Sequence, residues 1–234
     1  QVTNYGTLLA AEKAYADILK KAAKELGAIY KTTGDYIERL PGDELNAFGS
    51  EWYILGLARS GRKVFDDYYK AIEKYVSENI DENGRLDEKR ATDNAKLVLV
   101  LSALDKDVTD VGGHDLLKAL SDMDYVTQQG LSGAIYALLA FDCRGYDIPS
   151  ADKNVEQTSR EGLVKYILDK QLKDGGWAYS GDKAEPDMTA MALQALAAYY
   201  KTDAKVKEEA DKAVTCLSKL QNTTGGYDSY GSVN

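Results

Sequence analysis

Helical segments that are apolar on most faces take turns along this chain with segments that carry a single apolar stripe. Residues 50–61, 92–106, 131–142 and 186–200 are of the first kind, the strongest run being LVLVLSAL at 97–104. Residues 7–31, 64–80, 112–123, 158–172 and 203–221 are of the second. In 7–31 the stripe is Leu8, Leu9, Ala11, Tyr15, Ile18, Leu19, Ala22 and Leu26, which share one helical face. A helix that is apolar all round has to be buried on most sides, and a two-sided one lies against it with its polar face in water. Repeating the pair predicts an inner and an outer layer: an all-α chain, arranged as an α/α toroid of helical hairpins. The apolar helices open at Glu51, Asp93, Ser132 and Asp187, separations of 42, 39 and 55 residues, so the repeat is loose and its insertions fall in loops. One domain is expected over 1–234, with a leading helix and loop at 1–45 and the repeats at 46–234.

Two corners of this pattern share a motif. QLKDGGW at 171–177 and QNTTGGY at 221–227 each end an amphipathic helix. Gly175 and Gly225 can take positive φ and turn the chain at the helix C-terminus. Trp177 and Tyr227 can then fold back between an outer helix and the next inner one, while Gln171 and Gln221 reach free backbone groups. Residues 79–94 read as a degenerate copy, with Gly84 and Leu86 in the places of glycine and aromatic. These six motif residues are expected to be structural.

Bulk properties narrow the partners. The chain carries 38 acidic and 29 basic residues, a net charge of −9, and no Lys/Arg cluster reverses the sign locally. That field repels polyanions, so nucleic acid and anionic membranes are excluded as partners. No segment reaches the roughly 20 apolar residues that a membrane-spanning helix needs. Cys143 and Cys216 allow a disulfide or two free thiols, and the sequence leaves both open.

The Gln-x-x-x-Gly-x-aromatic repeat between amphipathic helices resembles that of terpenoid cyclases such as squalene–hopene cyclase. The same toroid is found in protein prenyltransferase β-subunits, complement thioester domains and the cobalamin carriers intrinsic factor and transcobalamin. PDMTAMALQAL at 186–196 is similar to the inner-helix start of that superfamily. VTQQGLSGAIYALLAFDCRGYDIP at 126–149 is similar to bacterial surface proteins that carry the fold. The resemblance covers about residues 45–234. It implies a secreted or surface-displayed protein whose signal peptide has been removed. The chain holds fewer hairpins than a complete ring, so it predicts an incomplete toroid that continues beyond Asn234.

The catalytic motifs of that superfamily do not match. The Asp-x-Asp-Asp acid of a class II cyclase meets Asp122 and Asp124, followed by Tyr125. The Asp-Asp-x-x-Asp cluster that holds Mg²⁺ meets Asp66 and Asp67, followed by Lys70. Catalytic zinc needs Asp, Cys and His, and the one histidine, His114, has no cysteine near it in sequence. The thioester motif fails at Cys143, which precedes Arg144, Gly145 and Tyr146. The acids of 105–110 lack the glycine and final acid of an EF-hand.

What remains is a cavity lined near the inner-helix ends by Glu51, Trp52, Tyr53, Asp93, Tyr136, Asp187, Tyr199 and Tyr200. Seventeen tyrosines against three phenylalanines suit a polar ligand better than a polyprenyl hydrocarbon. The expectation is a non-catalytic binding module for a small molecule or an extracellular protein or glycan, without metal or cofactor. The alternatives are a terpenoid cyclase or prenyltransferase-type enzyme and a cobalamin carrier.

Overall fold

The computed structural model describes residues 47–59, 65–229 and 232–233. The chain divides into two compact units, 1–47 and 48–234, and apart from Ala47 the described residues belong to the second. The helix expected over 7–31 lies outside them. The regular secondary structure of the described residues is almost wholly helical: α1 (Glu51–Arg59), α2 (Asp66–Asn79), α3 (Ala91–Ala103), α4 (Met123–Gln128), α5 (Leu131–Asp142), α6 (Arg160–Asp169), α7 (Pro186–Leu196) and α8 (Ala204–Leu220). A two-residue antiparallel ladder, Asp228–Ser229 with Ser232–Val233, follows α8.

The odd-numbered helices pack in succession, α1 on α3, α3 on α5 and α5 on α7. Gln129, just before α5, accepts from Thr92 N–H (3.0 Å) and donates to Thr92 Oγ1 (2.9 Å), so the starts of α3 and α5 are joined. Tyr199, just past α7, donates to Asp142 at the end of α5 (2.8 Å). These three helices therefore run parallel. In α3 and α5 only a narrow stripe escapes full burial, Lys96, Leu99 and Ala103 on one and Ser132, Tyr136, Leu139 and Asp142 on the other. The even helices bury one face each: Tyr68, Ile72 and Val76 on α2, Leu163, Val164 and Ile167 on α6, and Val206, Ala210, Ala213 and Cys216 on α8. Helix α6 packs against α5 and α8 against α7. Periodicity in the sequence thus becomes layering, because the stripes of α6 and α8 are covered by the apolar helices α5 and α7.

Three corners share one backbone geometry. Leu172 N–H donates to Gly176 O and Gly175 N–H to Leu172 O; Asn222 N–H donates to Gly226 O and Gly225 N–H to Asn222 O. Asp81 N–H donates to Arg85 O and Gly84 N–H to Asp81 O in the same relation. Gly84, Gly175 and Gly225 sit at φ of 79, 93 and 87°, a region that penalises any Cβ. At the second and third glutamine-bearing corners the side chain closes the turn, Gln171 Nε2 donating to Gly175 O (2.7 Å) and Gln221 Nε2 to Gly225 O (2.8 Å). Gln171 also donates to Glu209 O on α8 (2.9 Å). In the first corner Ile80 stands where the glutamine would be, and Asn94 takes over. Its Nδ2 donates to Gly84 O (2.7 Å) and Leu116 O (3.2 Å), and its Oδ1 accepts from Leu86 N–H (3.0 Å). Asn94 is fully buried. Asn94→Leu keeps the volume and strands three backbone groups, so it is expected to destabilise by about 2–3 kcal/mol in urea unfolding.

Three expectations are corrected. Residues 112–123 do not form a helix. A Val111–His114 bridge with Gly112 and Gly113 at positive φ gives way to turns and a 3₁₀ segment, Ala119–Ser121, before the short α4. Gly112 is required there, because a Cβ would lie 2.6 Å from Glu73 O. Helix α1 is apolar yet buries only Glu51 and Ile54, leaving Trp52 and Tyr53 in water. Helix α7 likewise leaves Ala190 and Gln194 exposed, since no helix among the described residues lies on that side.

Candidate functional site

The sequence-derived cavity residues separate into two groups. Glu51, Trp52, Tyr53, Asp93 and Asp187 lie in the first turns of α1, α3 and α7, and Tyr136 lies in the second turn of α5. Tyr199 and Tyr200 lie at the opposite end of α7. Tyr199 completes a network there: Asp142 accepts from Tyr199 and from Arg160 Nε (2.7 Å), and Arg160 also donates to Phe141 O and Tyr146 O. Burial, then the Asp142 bond, pushes the Tyr199 hydroxyl far above its ordinary range. Tyr200 donates to Asp211 (2.7 Å) on the outer surface of α8. Both tyrosines join elements at that end of the fold.

Within the first group, Trp52 and Tyr136 converge. Trp52 of α1 and Tyr136 of α5 stand with ring centroids 6.0 Å apart, tilted by 48°. Lys96 of α3 places Nζ 6.0 Å from the centre of the Tyr136 ring. Three successive odd helices therefore contribute to one face, with an aromatic pair at a favourable centroid separation and a cation beside it. Trp52 and Tyr53 are 49% and 65% exposed, so their rings meet solvent rather than core. Lys96 was not singled out from the sequence. Its signal was there: it is the only basic residue of α3, inside an otherwise apolar run.

A second cluster involves the starts of α1 and α3 and the helix α2. Phe48 and Tyr75 stack with centroids 4.3 Å apart and planes 6° apart. Burial, then the Asp93 carboxylate and more weakly Glu51, pushes the Tyr75 hydroxyl up. Asp93 pairs with Arg90 (2.9 Å), yet burial outweighs that partner and raises its pKa. Glu51 is buried and accepts from Gly49 N–H (2.7 Å). Tyr68 is fully buried, and its hydroxyl finds no hydrogen-bond partner. Burial and the Glu51 charge hold it neutral. Asp187 is exposed in the first turn of α7, where its charge faces the positive end of the helix dipole.

The motif fragments weighed as catalytic have structural surroundings. Asp122 caps α4, accepting from Tyr125 N–H (3.0 Å), and pairs with Arg85 (2.7 Å). Asp66 and Asp67 are exposed in the first turn of α2. Asp107 accepts from Thr109 N–H and Oγ1 within its own turn. Cys143 is an exposed and Cys216 a buried free thiol. Among the described residues no three His, Cys, Asp or Glu side chains converge on a metal site, and no helix is long and apolar enough to cross a membrane.

The motif residues Gln171, Gly175, Trp177, Gln221, Gly225 and Tyr227 stand at the corners that follow α6 and α8. Trp177 is wholly buried and donates through Nε1 to Ile167 O (2.7 Å), and its backbone N–H donates to Thr189 Oγ1 (2.9 Å). A search of protein-family models, curated proteins and solved structures finds no match to this chain.

Proposed function

We propose that the hairpins are an arc of an α/α toroid, displayed outside the cell, that works as a non-catalytic binding module. Ligand is received on the face shared by α1, α3 and α5. The toroid reading rests on the corner motif, on the parallel α3, α5 and α7, and on the layering of one-faced helices around them. The binding reading rests on one observation: Trp52, Lys96 and Tyr136, from three separate helices, meet where Trp52 is half-exposed and the other two are half-buried.

Energetics support it. Leaving about 100 Å² of indole in water gives up roughly 2–3 kcal/mol of burial. A partner that covers Trp52 regains that stabilisation. A polyprenyl substrate is a poorer fit, because tyrosine hydroxyls and Lys96 would need polar partners that a hydrocarbon lacks. Of the acids that a cyclase would use, Asp122 is engaged in capping α4 and in pairing with Arg85.

The test is a titration of the chain with polar small molecules, oligosaccharides and extracellular proteins, read by isothermal calorimetry. Binding that Trp52→Ala and Tyr136→Ala weaken, at an unchanged melting temperature, supports the module. Turnover of squalene or of a polyprenyl diphosphate would show an enzyme instead.

A further inference from the structure

The exposed aromatics reach beyond the Trp52–Tyr136 pair. Among the described residues the large apolar side chains left in water are Trp52, Tyr53, Tyr179 and Val214. All three aromatics among them lie at the starts of odd helices. Tyr179, 71% exposed, sits in the loop that leads into α7, and its N–H donates to Glu185, the N-cap residue of that helix. Resting on the binding reading above, we infer that the ligand is a neutral oligosaccharide laid across the starts of the odd helices.

The chemistry of the row carries the inference. An aliphatic interface would expose leucine, isoleucine or methionine; this one exposes rings with polar edges. A pyranose offers C–H groups on its face and hydroxyls around its rim. A ring such as Trp52 stacks on the first, while the Tyr53 and Tyr179 hydroxyls, which donate and accept, meet the second. The charges disfavour an anion. Glu51, Asp93, Glu185 and Asp187 stand at the same helix starts, and Lys96 and Arg90 do not outweigh them. A polyanionic glycan would meet like charge on a chain of net charge −9. Dimensions agree as well: three helix-to-helix steps of 8–10 Å allow the row a length of at most about 25–30 Å, the span of several sugar units.

The experiment is native electrophoresis of the whole chain in gels that contain neutral polysaccharides, with a heparin gel and an extracellular-matrix protein binding assay alongside. Retardation by a neutral polysaccharide is expected, reduced about tenfold or more in affinity by Trp52→Ala. It should persist as salt rises from about 0.1 to about 1 M, because no charge pair is screened. Tyr179→Ala, in a surface loop, should weaken long chains more than short ones. Salt-sensitive retardation by heparin alone would overturn neutrality. Trp52-dependent binding to protein, with no neutral polysaccharide retarding the chain, would overturn the glycan while leaving the binding module standing. Loss of Trp52-dependent binding to every probe would overturn both.

Discussion

Trp177→Ala is expected to lower stability by about 3–5 kcal/mol, the range for truncating a fully buried aromatic. Trp177 is the largest wholly buried side chain among the described residues, and it fills the space where α6, α7 and the Gly175–Gly176 corner meet. The loss has two parts. A void of indole size forms between helices, and Ile167 O is left without its donor. Trp177→Phe separates them: it keeps most of the apolar volume and loses only the Nε1 bond, so it should cost less than half as much. Urea unfolding with an unchanged m-value reads both. Small domains have about 5–15 kcal/mol in total, so the alanine variant should melt well below the parent.

Gly133→Ala should be nearly as damaging, although alanine is the better helix former by about 1 kcal/mol. A Cβ on Gly133 would stand 2.0 Å from Val126 O and 3.2 Å from Gln129 Cβ. The first contact is backbone, so no rotamer change relieves it, and α4 must move away from α5. Overpacking of this kind costs about 3 kcal/mol. Displacing α4 also strains the Gln129–Thr92 link that joins the starts of α3 and α5. Gly56→Ala is the internal control. It lies within α1, where an added methyl meets nothing within 4 Å. There the propensity gain is unopposed, and stability should rise by about 0.5–1 kcal/mol.

The all-α layering was legible in the sequence because burial follows periodicity: Tyr68, Ile72 and Val76 repeat every fourth residue and share one face. The glycine corners were legible because a positive φ restricts residue choice. The substitution of Asn94 for a corner glutamine was not, since the partners it joins lie ten and twenty-two residues away. Leu116, Leu117 and Leu120 misled for a related reason. Their spacing reports burial, which turns can satisfy as well as a helix, and the glycines before them decide for turns. Composition showed that α1 and α7 are apolar on most sides; which sides have neighbours depends on packing between distant segments. The aromatic face was half visible. Trp52 and Tyr136 drew attention as aromatics near helix starts, whereas Lys96 joins them only once α3 lies between α1 and α5.

The layered arrangement itself, on which the shared face depends, is tested most directly by hydrogen–deuterium exchange of backbone amides in the native chain. The slowest amides are expected in α3 and α5, which have helices on nearly every side, with α2 and α8 exchanging earlier through their wet faces. If α3 and α5 exchange as fast as α8, or faster, the inner layer does not exist as described, and the binding face assembled on it falls with it.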